Sequence, residues 1–460
     1  MIRPLKPMLV GLSAFLAIGL TACSTPPDDS TTGAPTDVTS TASTDPACAA
    51  YEKYGDLTGK TVTVYATFID TEGAQYEQSF KPFGDCTGAT IAFEGSREFE
   101  AQLPVRVAAG AAPDIAILPQ PGLLATMVAT GKVVAAPATV AANVDQYWSA
   151  SWKAYGTVDG TFYAAPLGAS AKSFVWYSPS MFADAGYKIP TTWDELLTLT
   201  KTIADDGVAK PWCAGIESGE ATGWPATDWV EDMVLRFAGG ENYDKWVSHE
   251  IPFNDPSIVK ALTEMSKILR DDAYVNAGIG NVQSIASEAW TDAGFPIVEG
   301  QCYLHRAASF YQTNWTTLDP SLTVGPDGDV WAFPLPGLTA DSQPVIGGGD
   351  FVAAFADRPE VAAFQAYLSS AEWANAKATA TPQGWVTANN GLDKSLLKSP
   401  MDQLAYDALS APGVEFRFDG SDLMPSEVGA GSFWKEMTAY FAQGKSEKDV
   451  LDTIEASWPK

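Results

Sequence analysis

Basic residues are scarce in this 460-residue chain: 28 Lys and Arg stand against 56 Asp and Glu, a formal net charge of −28. A surface of that sign repels phosphate backbones and anionic headgroups, which are bound by Lys and Arg neutralising phosphates. No nucleic-acid partner is expected. Histidine is scarcer still, with only His249 and His305. A Ser-His-Asp or Cys-His centre would have to use one of these two. The chain also lacks a G-x-S-x-G elbow, a P-loop, an H-E-x-x-H helix and a G-x-G-x-x-G turn after a strand. No catalytic residue, cofactor or metal is predicted. What the chain does have is apolar mass, 46% of residues, and length enough for two to three domains.

The one long apolar run lies at the start. Arg3 and Lys6 precede Met8–Leu20, a stretch too short for a comfortable bilayer span but suited to a secretory leader. Leu20-Thr21-Ala22-Cys23 follows and resembles the lipobox of bacterial lipoproteins, in which the cysteine carries the lipid. Residues 1–22 therefore read as a signal peptide and Cys23 as a lipidation site. Residues 24–46 draw 20 of 23 positions from Ser, Thr, Pro, Gly and Asp, a composition that buries no core and serves as a flexible tether. Anchor, tether and globular body describe a protein held at the outer face of a cytoplasmic membrane.

With Cys23 assigned to lipid, Cys48, Cys86, Cys213 and Cys302 remain. An even count in an exported chain implies two disulfides. Of three connectivities, Cys48–Cys86 and Cys213–Cys302 keep each bridge within one half of the body. A four-cysteine metal site is disfavoured because no close pair has ligand spacing.

The body begins near Asp56. Thr61–Ala66 alternates as a strand, Thr90–Phe93 is the next, and Ile115–Leu118 the third. A helix over about Phe99–Ala109, containing Pro104, separates the last two. Strand, helix and strand in succession argue for parallel βαβ units. Thr192 with Glu195 forms a capping box, Asp255-Pro256 caps another helix, Arg358-Pro359 opens a third, and Ser446 with Asp449 opens the last. Gly347-Gly348-Gly349-Asp350 lacks the Lys-Ser/Thr of a phosphate loop and reads as a tight hinge between strand and helix. The fold class is α/β, with two lobes.

Aromatics are abundant: 15 Trp, 16 Tyr and 21 Phe. Several Trp sit among polar or turn residues, as in Gly223-Trp224-Pro225, Gly384-Trp385 and Ser432-Phe433-Trp434. A sugar offers apolar C–H faces to aromatic rings and a hydroxyl rim to carboxylates and guanidinium groups. A secreted chain with these clusters reads as a carbohydrate binder. Two other readings are a glycosidase using paired carboxylates and a binder of an amino acid or polyamine.

Ordered motifs sharpen this. Ala109-Gly110-Ala111-Ala112-Pro113-Asp114-Ile115-Ala116, Ala164-Ala165-Pro166-Leu167 through Trp176-Tyr177-Ser178, Gly347–Asp350, and Leu423-Met424-Pro425 with Phe433-Trp434 together resemble the extracellular solute-binding proteins of bacterial ABC sugar importers. Glu217-Ser218-Gly219 to Trp229 and Gly300–Arg306 look most like the α-glucoside-binding lipoproteins of actinobacteria. The resemblance implies two doubly wound lobes of the periplasmic-binding-protein type II class, joined by hinge crossovers, with a sugar between them and a permease as partner. It implies lobe 1 over 47–166 and 347–390, lobe 2 over 167–346 and 391–460, and a monomer. The sugar contacts it implies are Arg97, Glu98 and Gln120 on the first lobe. On the second are Trp224, Asp228, Trp229 and Arg306, with Asp350 at the hinge and Trp385, Arg417 and Trp434 completing the set. His305 reads first as a structural histidine. Where family members place a stacking aromatic after the third strand, this chain has Leu118-Pro119-Gln120-Pro121.

Overall fold

The computed structural model describes residues 46–410 and 414–459. The leader, Cys23 and the tether up to residue 45 lie outside the described residues. Among the described residues no helix is long and apolar enough to cross a membrane.

Two sheets organise the body. In the first, β1 (Thr61–Ala66) pairs in parallel with β2 (Thr90–Gly95) and β3 (Ile115–Leu118). Helix α1 (Asp70–Thr87) connects β1 to β2, and α2 (Phe99–Ala108) connects β2 to β3. Ile115–Leu118 is an unbroken apolar run with every residue buried, as a strand covered on both faces requires. The sheet is completed by β4 (Ala164–Ala171), β10 (Val345–Ala354) and β11 (Phe416–Phe418). Its order is β11-β10-β3-β1-β2, with β4 also on β10.

The second sheet runs β9-β5-β8-β6-β7: β5 is Phe174–Tyr177, β6 Lys210–Cys213, β7 Val275–Asn276, β8 Cys302–Arg306 and β9 Trp331–Pro334. Helices α3 (Trp193–Asp206), α4 (Trp224–Phe237) and α5 (Pro256–Leu269) pack around it. The capping signals act as expected. Thr192 Oγ1 accepts from the Glu195 N–H at 3.2 Å, and Asp255 Oδ1 from the Ser257 N–H at 2.9 Å. Ser446 Oγ accepts from the Asp449 N–H at 3.1 Å. Both disulfides form as paired from sequence, with Cα separations of 5.3 Å for Cys48–Cys86 and 5.8 Å for Cys213–Cys302.

The chain passes between the sheets three times, from β4 to β5 at residues 171–174, from β9 to β10 at 334–345, and after β11 at 418–424. These crossings differ from the sequence boundaries at 166, 346 and 390. β4 stays on the first sheet as far as Ala171 because it keeps pairing with β10. β11 returns to that sheet although the segment around it reads as second-lobe chain. The triple glycine is likewise not a turn between strand and helix. Gly347–Asp350 lies inside β10. A β-carbon on Gly347 would meet the Ser170 carbonyl at 2.5 Å, and one on Gly349 the Gly168 carbonyl at 2.6 Å. Close strand approach, not a hinge turn, is what these glycines permit.

Candidate functional site

Helix α4 is buried along almost its whole length, so its polar residues cannot be a solvated face. Asp228, Glu231, Asp232 and Arg236 recur at helical spacing and meet all three crossings. At the first, Asp228 accepts from Lys172 Nζ at 3.1 Å, and the Ser173 hydroxyl donates to Asp232. At the second, the Arg236 guanidinium donates to the carbonyls of Leu335, Pro336 and Pro344 at 2.7, 2.8 and 2.9 Å. At the third, Glu231 accepts the backbone N–H groups of Gly420 and Ser421, each at 3.0 Å. One helix face thus fixes the three strands of chain that join the sheets.

Lys172 is the centre of this lattice. Its ammonium bridges Asp228 and Asp419, with Asp422 at 3.9 Å. Burial alone would lower its pKa, but Asp228 and Asp419 outweigh burial and raise it well above the usual lysine range. The same ammonium holds Asp419 below the normal carboxylate range against the opposing effect of burial. Asp228 is pushed up to about 6, because burial exceeds the help from Lys172 and Arg306. Glu231 is raised by burial and by the neighbouring Asp419. The carboxylates of Asp228, Glu231 and Asp419 lie within 4.8 Å of one another, close enough for a cation. Lys172 and the Gly420 and Ser421 amides already donate to these carboxylates.

On the first-sheet side the polar groups are less complete. Asp350 faces a bulge, where Gly349 pairs with Ala169 and Phe351 with Pro166. One residue on β10 therefore opposes two, Leu167 and Gly168, on β4, a device that re-aims a side chain. Trp385 is held alongside, since the next residue, Val386, accepts from the Ala169 N–H at 2.9 Å. Gly384 N–H donates to Asp402, which anchors the same loop. Asp350 is raised to about 7 by burial and by the charge of Glu72. Beneath it, Lys377 is fully buried and donates to Thr381 Oγ1 at 2.6 Å. Burial lowers its pKa to about 8, despite the pull of Glu72, Asp350 and Asp402.

Of the residues nominated from sequence, the seam between the sheets gathers Trp224, Asp228, Arg306 and Asp350, with Trp385 beside Asp350 and the Trp434 backbone against Gly223, next to Trp224. Trp224 opens α4, half-buried, with its ring edge-on to Trp290 at 5.1 Å and Lys172 Nζ 5.5 Å from its centroid. Gly223, at φ +117°, lets the loop press against the Trp434 backbone, where a β-carbon would lie 2.2 Å from the carbonyl oxygen. Trp434 is 5% exposed, and its indole N–H has no partner among the described residues.

The others are placed differently. Trp229 packs edge-on against Trp212 at 5.4 Å in the core of the second sheet, and with Trp224, His305 and Arg306 it lines a small cavity. Arg306 is also not free for a hydroxyl. Its Nε donates to Asp232 at 3.0 Å and its Nη1 to Asp228 at 2.8 Å, while Nη2 is shared between the same two residues. Arg417 pairs with Asp244 at 2.7 Å on β11, one residue before the third crossing. Arg97 is exposed, 3.7 Å from Asp70, and Glu98 is exposed at the start of α2. Gln120 is buried and donates to Glu100 at 3.3 Å. His305 is structural, its Nδ1 3.1 Å from the Cys213 carbonyl oxygen, and burial lowers its pKa to about 4. Lys172, Glu231, Asp419, Asp422, Tyr76 and Lys377 escape sequence reasoning. For α4 the signal was available: four charged residues at 228, 231, 232 and 236 on a helix otherwise apolar all round.

Two α/β sheets linked by three crossings, with charged and aromatic groups gathered at the seam, define a two-lobed solute-binding architecture. The family model for bacterial extracellular solute-binding proteins matches residues 70–375. The osmoprotective compounds-binding protein GgtB of Synechocystis sp. is 36% identical over 410 residues, 88% of this chain and 94% of that protein. The alpha-glucosides-binding periplasmic protein AglE of Rhizobium meliloti is 36% identical over 429 residues, 89% of each. A solved structure from work on xylan utilization by Caldanaerobius polysaccharolyticus superposes with a TM-score of 0.71 at 17% identity, covering 86% of this chain and 99% of that one. The chain belongs to the bacterial extracellular solute-binding protein family.

Proposed function

We propose that the protein captures an α-glucoside or related oligosaccharide at the seam between the two sheets and delivers it to the permease of an ABC importer. In this reading it works as a monomer without catalysis, held by lipid on Cys23 at the outer face of the cytoplasmic membrane. The lobes are bounded by the three crossings rather than by the sequence boundaries. The observation that carries the reading is the pairing at one seam of aromatic rings, Trp224, Trp385 and Trp434, with an acceptor, Asp350. That combination suits a ligand with C–H faces and a hydroxyl rim. The names of GgtB and AglE point the same way, one to osmoprotective compounds and the other to α-glucosides.

Closure of two lobes over a ligand is the motion that such crossings allow, and it would present both lobes to the permease. The test is a thermal-shift and calorimetry panel of glucose, maltose, trehalose, isomaltose, raffinose and xylo-oligosaccharides, with cationic solutes as the contrast. A ligand bound only by the folded state raises the midpoint by mass action. A rise with α-glucosides, and recovery of the sugar unchanged after a day, is the expected result. A rise only with cationic solutes overturns it, and released glucose would assign a glycosidase instead.

A further inference from the structure

Three polar groups crowd over Gly168. A β-carbon there would lie 2.9 Å from Asp350 Oδ2, 3.2 Å from Trp385 Nε1 and 3.7 Å from Tyr76 Oη. Tyr76 is fully buried and Trp385 is 7% exposed; the phenol oxygen and the indole N–H interact with each other, but neither makes a hydrogen bond of normal geometry to any described residue. A buried donor left unmade is costly, and native proteins seldom keep two side by side without a use. Both rings are rigidly set. Tyr76 stacks on Phe68 with centroids 4.0 Å apart and planes 3° from parallel, and Trp385 stands edge-on to Trp373 at 5.6 Å. Lys377 Nζ lies 4.2 Å from the Tyr76 ring centroid and 5.6 Å from that of Trp385. It holds the two rings from behind, at cation–π distance.

We propose that Tyr76, Trp385 and Asp350 form a hydroxyl-selecting subsite over Gly168, with Lys377 as a positioning residue that sets the two rings. The inference rests on the sugar reading above and adds what that site selects. The donor and acceptor pattern is that of one hydroxyl group: it accepts from the Trp385 N–H and donates to Asp350, and the Tyr76 hydroxyl completes the set. A glycine is needed at 168 because any side chain would occupy the space where these groups converge. A site built to hydrogen-bond a substrate hydroxyl rejects the analogue lacking it far more strongly than an apolar pocket rejects a missing methylene.

The experiment uses the full mature chain and the variants Tyr76→Phe, Trp385→Phe and Gly168→Ala, titrated calorimetrically with trehalose, maltose, isomaltose and raffinose. The tightest of these is then tested as its set of monodeoxy derivatives. Tyr76→Phe should weaken the parent sugar about tenfold while leaving the unfolding midpoint unchanged or higher, because the hydroxyl it removes makes no hydrogen bond of normal geometry in the folded state. One deoxy derivative should lose about as much on the native chain and lose nothing further on Tyr76→Phe. Gly168→Ala should weaken every sugar by more than about tenfold, through displacement of Asp350 and Trp385. A purely structural tyrosine would instead lower the midpoint and leave affinity untouched, and that outcome overturns the inference. So does a Tyr76→Phe loss that adds in full to every deoxy loss. If Gly168→Ala fails to fold, the two ring variants decide. Failure of the native chain to bind any of the four sugars removes the sugar reading itself, whereas native binding unaltered in Tyr76→Phe and Trp385→Phe removes only this subsite.

Discussion

Two buried lysines flank the seam, and their environments are opposite. Lys172 touches three carboxylates, and its pKa rises well above the usual lysine range. Lys377 is equally buried but makes one hydrogen bond, to a threonine hydroxyl, and its pKa falls to about 8. Burial disfavours both ammonium groups; the difference is whether charges at contact distance offset it. On the α4 side each charged group has an ion-pair or hydrogen-bond partner, although burial still raises Asp228 and Glu231, which is the arrangement of a structural joint. Around Gly168 the compensation is partial, and a hydroxyl and an indole N–H are left over. Such incomplete satisfaction is what the proposed subsite predicts, because a bound hydroxyl would supply the missing partners.

The sharpest way to break this comparison is to remove the joint's cation. Lys172→Met leaves Asp419 and Asp422 without their counter-charge, beside an Asp228 that keeps only Arg306, and breaking such a buried group typically costs about 3–5 kcal/mol. Urea unfolding at neutral pH should show a loss of that order. A change of under about 1 kcal/mol would mean that Lys172 is no joint. Next come the two tryptophans that sequence reading placed together. Trp229→Ala opens a cavity in the second-sheet core and should cost about 3–5 kcal/mol, with unchanged sugar affinity in the protein that remains folded. Trp224→Ala removes a half-buried ring at the seam; it should cost less stability and weaken sugar binding by about 1–2 kcal/mol. Equal effects of both substitutions on affinity would restore Trp229 to the site.

Why the sequence separated these poorly is a matter of geometry. The first sheet was legible because β1, β2 and β3 are local patterns, and the helix starts at Thr192, Asp255 and Ser446 were legible because caps act over a few residues. The disulfides were legible from spacing along the chain. The seam was not. Asp228 and Trp229 are adjacent in sequence but about 100° apart around α4, so one reaches Lys172 and the other reaches Trp212. Arg306 was nominated as a sugar contact that would pair with an acid or bond a hydroxyl; its donors pair with Asp228 and Asp232, a pairing set by tertiary contact between β8 and α4. Tyr76 and Lys377 carry no local signal, and only the packing of the helices Asp70–Thr87 and Ala371–Ala380 brings them together near Gly168. The triple glycine misled because glycines that allow close strand pairing and glycines that make a turn read alike.

A smaller effect tests the incomplete side by pH. Asp350 rises to about 7 in the folded chain through burial and the charge of Glu72, against the opposing pull of Lys377 and Lys172, while an unfolded aspartate titrates near 3.9. Between those values the folded state holds a proton that the unfolded state has released, so native stability falls as pH rises from about 4 to 7. Above about 7 the penalty is complete. Asp350→Asn removes it. The variant should therefore match the native unfolding midpoint near pH 4, gain on it steadily up to about pH 7, and run parallel above that. Its sugar affinity should drop most above about pH 7, where the native side chain is a charged acceptor and the amide is not. A midpoint difference that is flat from pH 4 to 8 would show that Asp350 is already compensated in the empty site.

The least perturbing substitution closes the comparison. Arg417→Ala breaks only an exposed pair with Asp244, and such pairs contribute about 0–1 kcal/mol. The expected result is a small stability change that shrinks as salt is raised and a sugar affinity indistinguishable from native. If affinity instead falls tenfold, the strand Phe416–Phe418 moves toward the ligand on closure. In that case the seam as seen here is not the arrangement that holds the sugar.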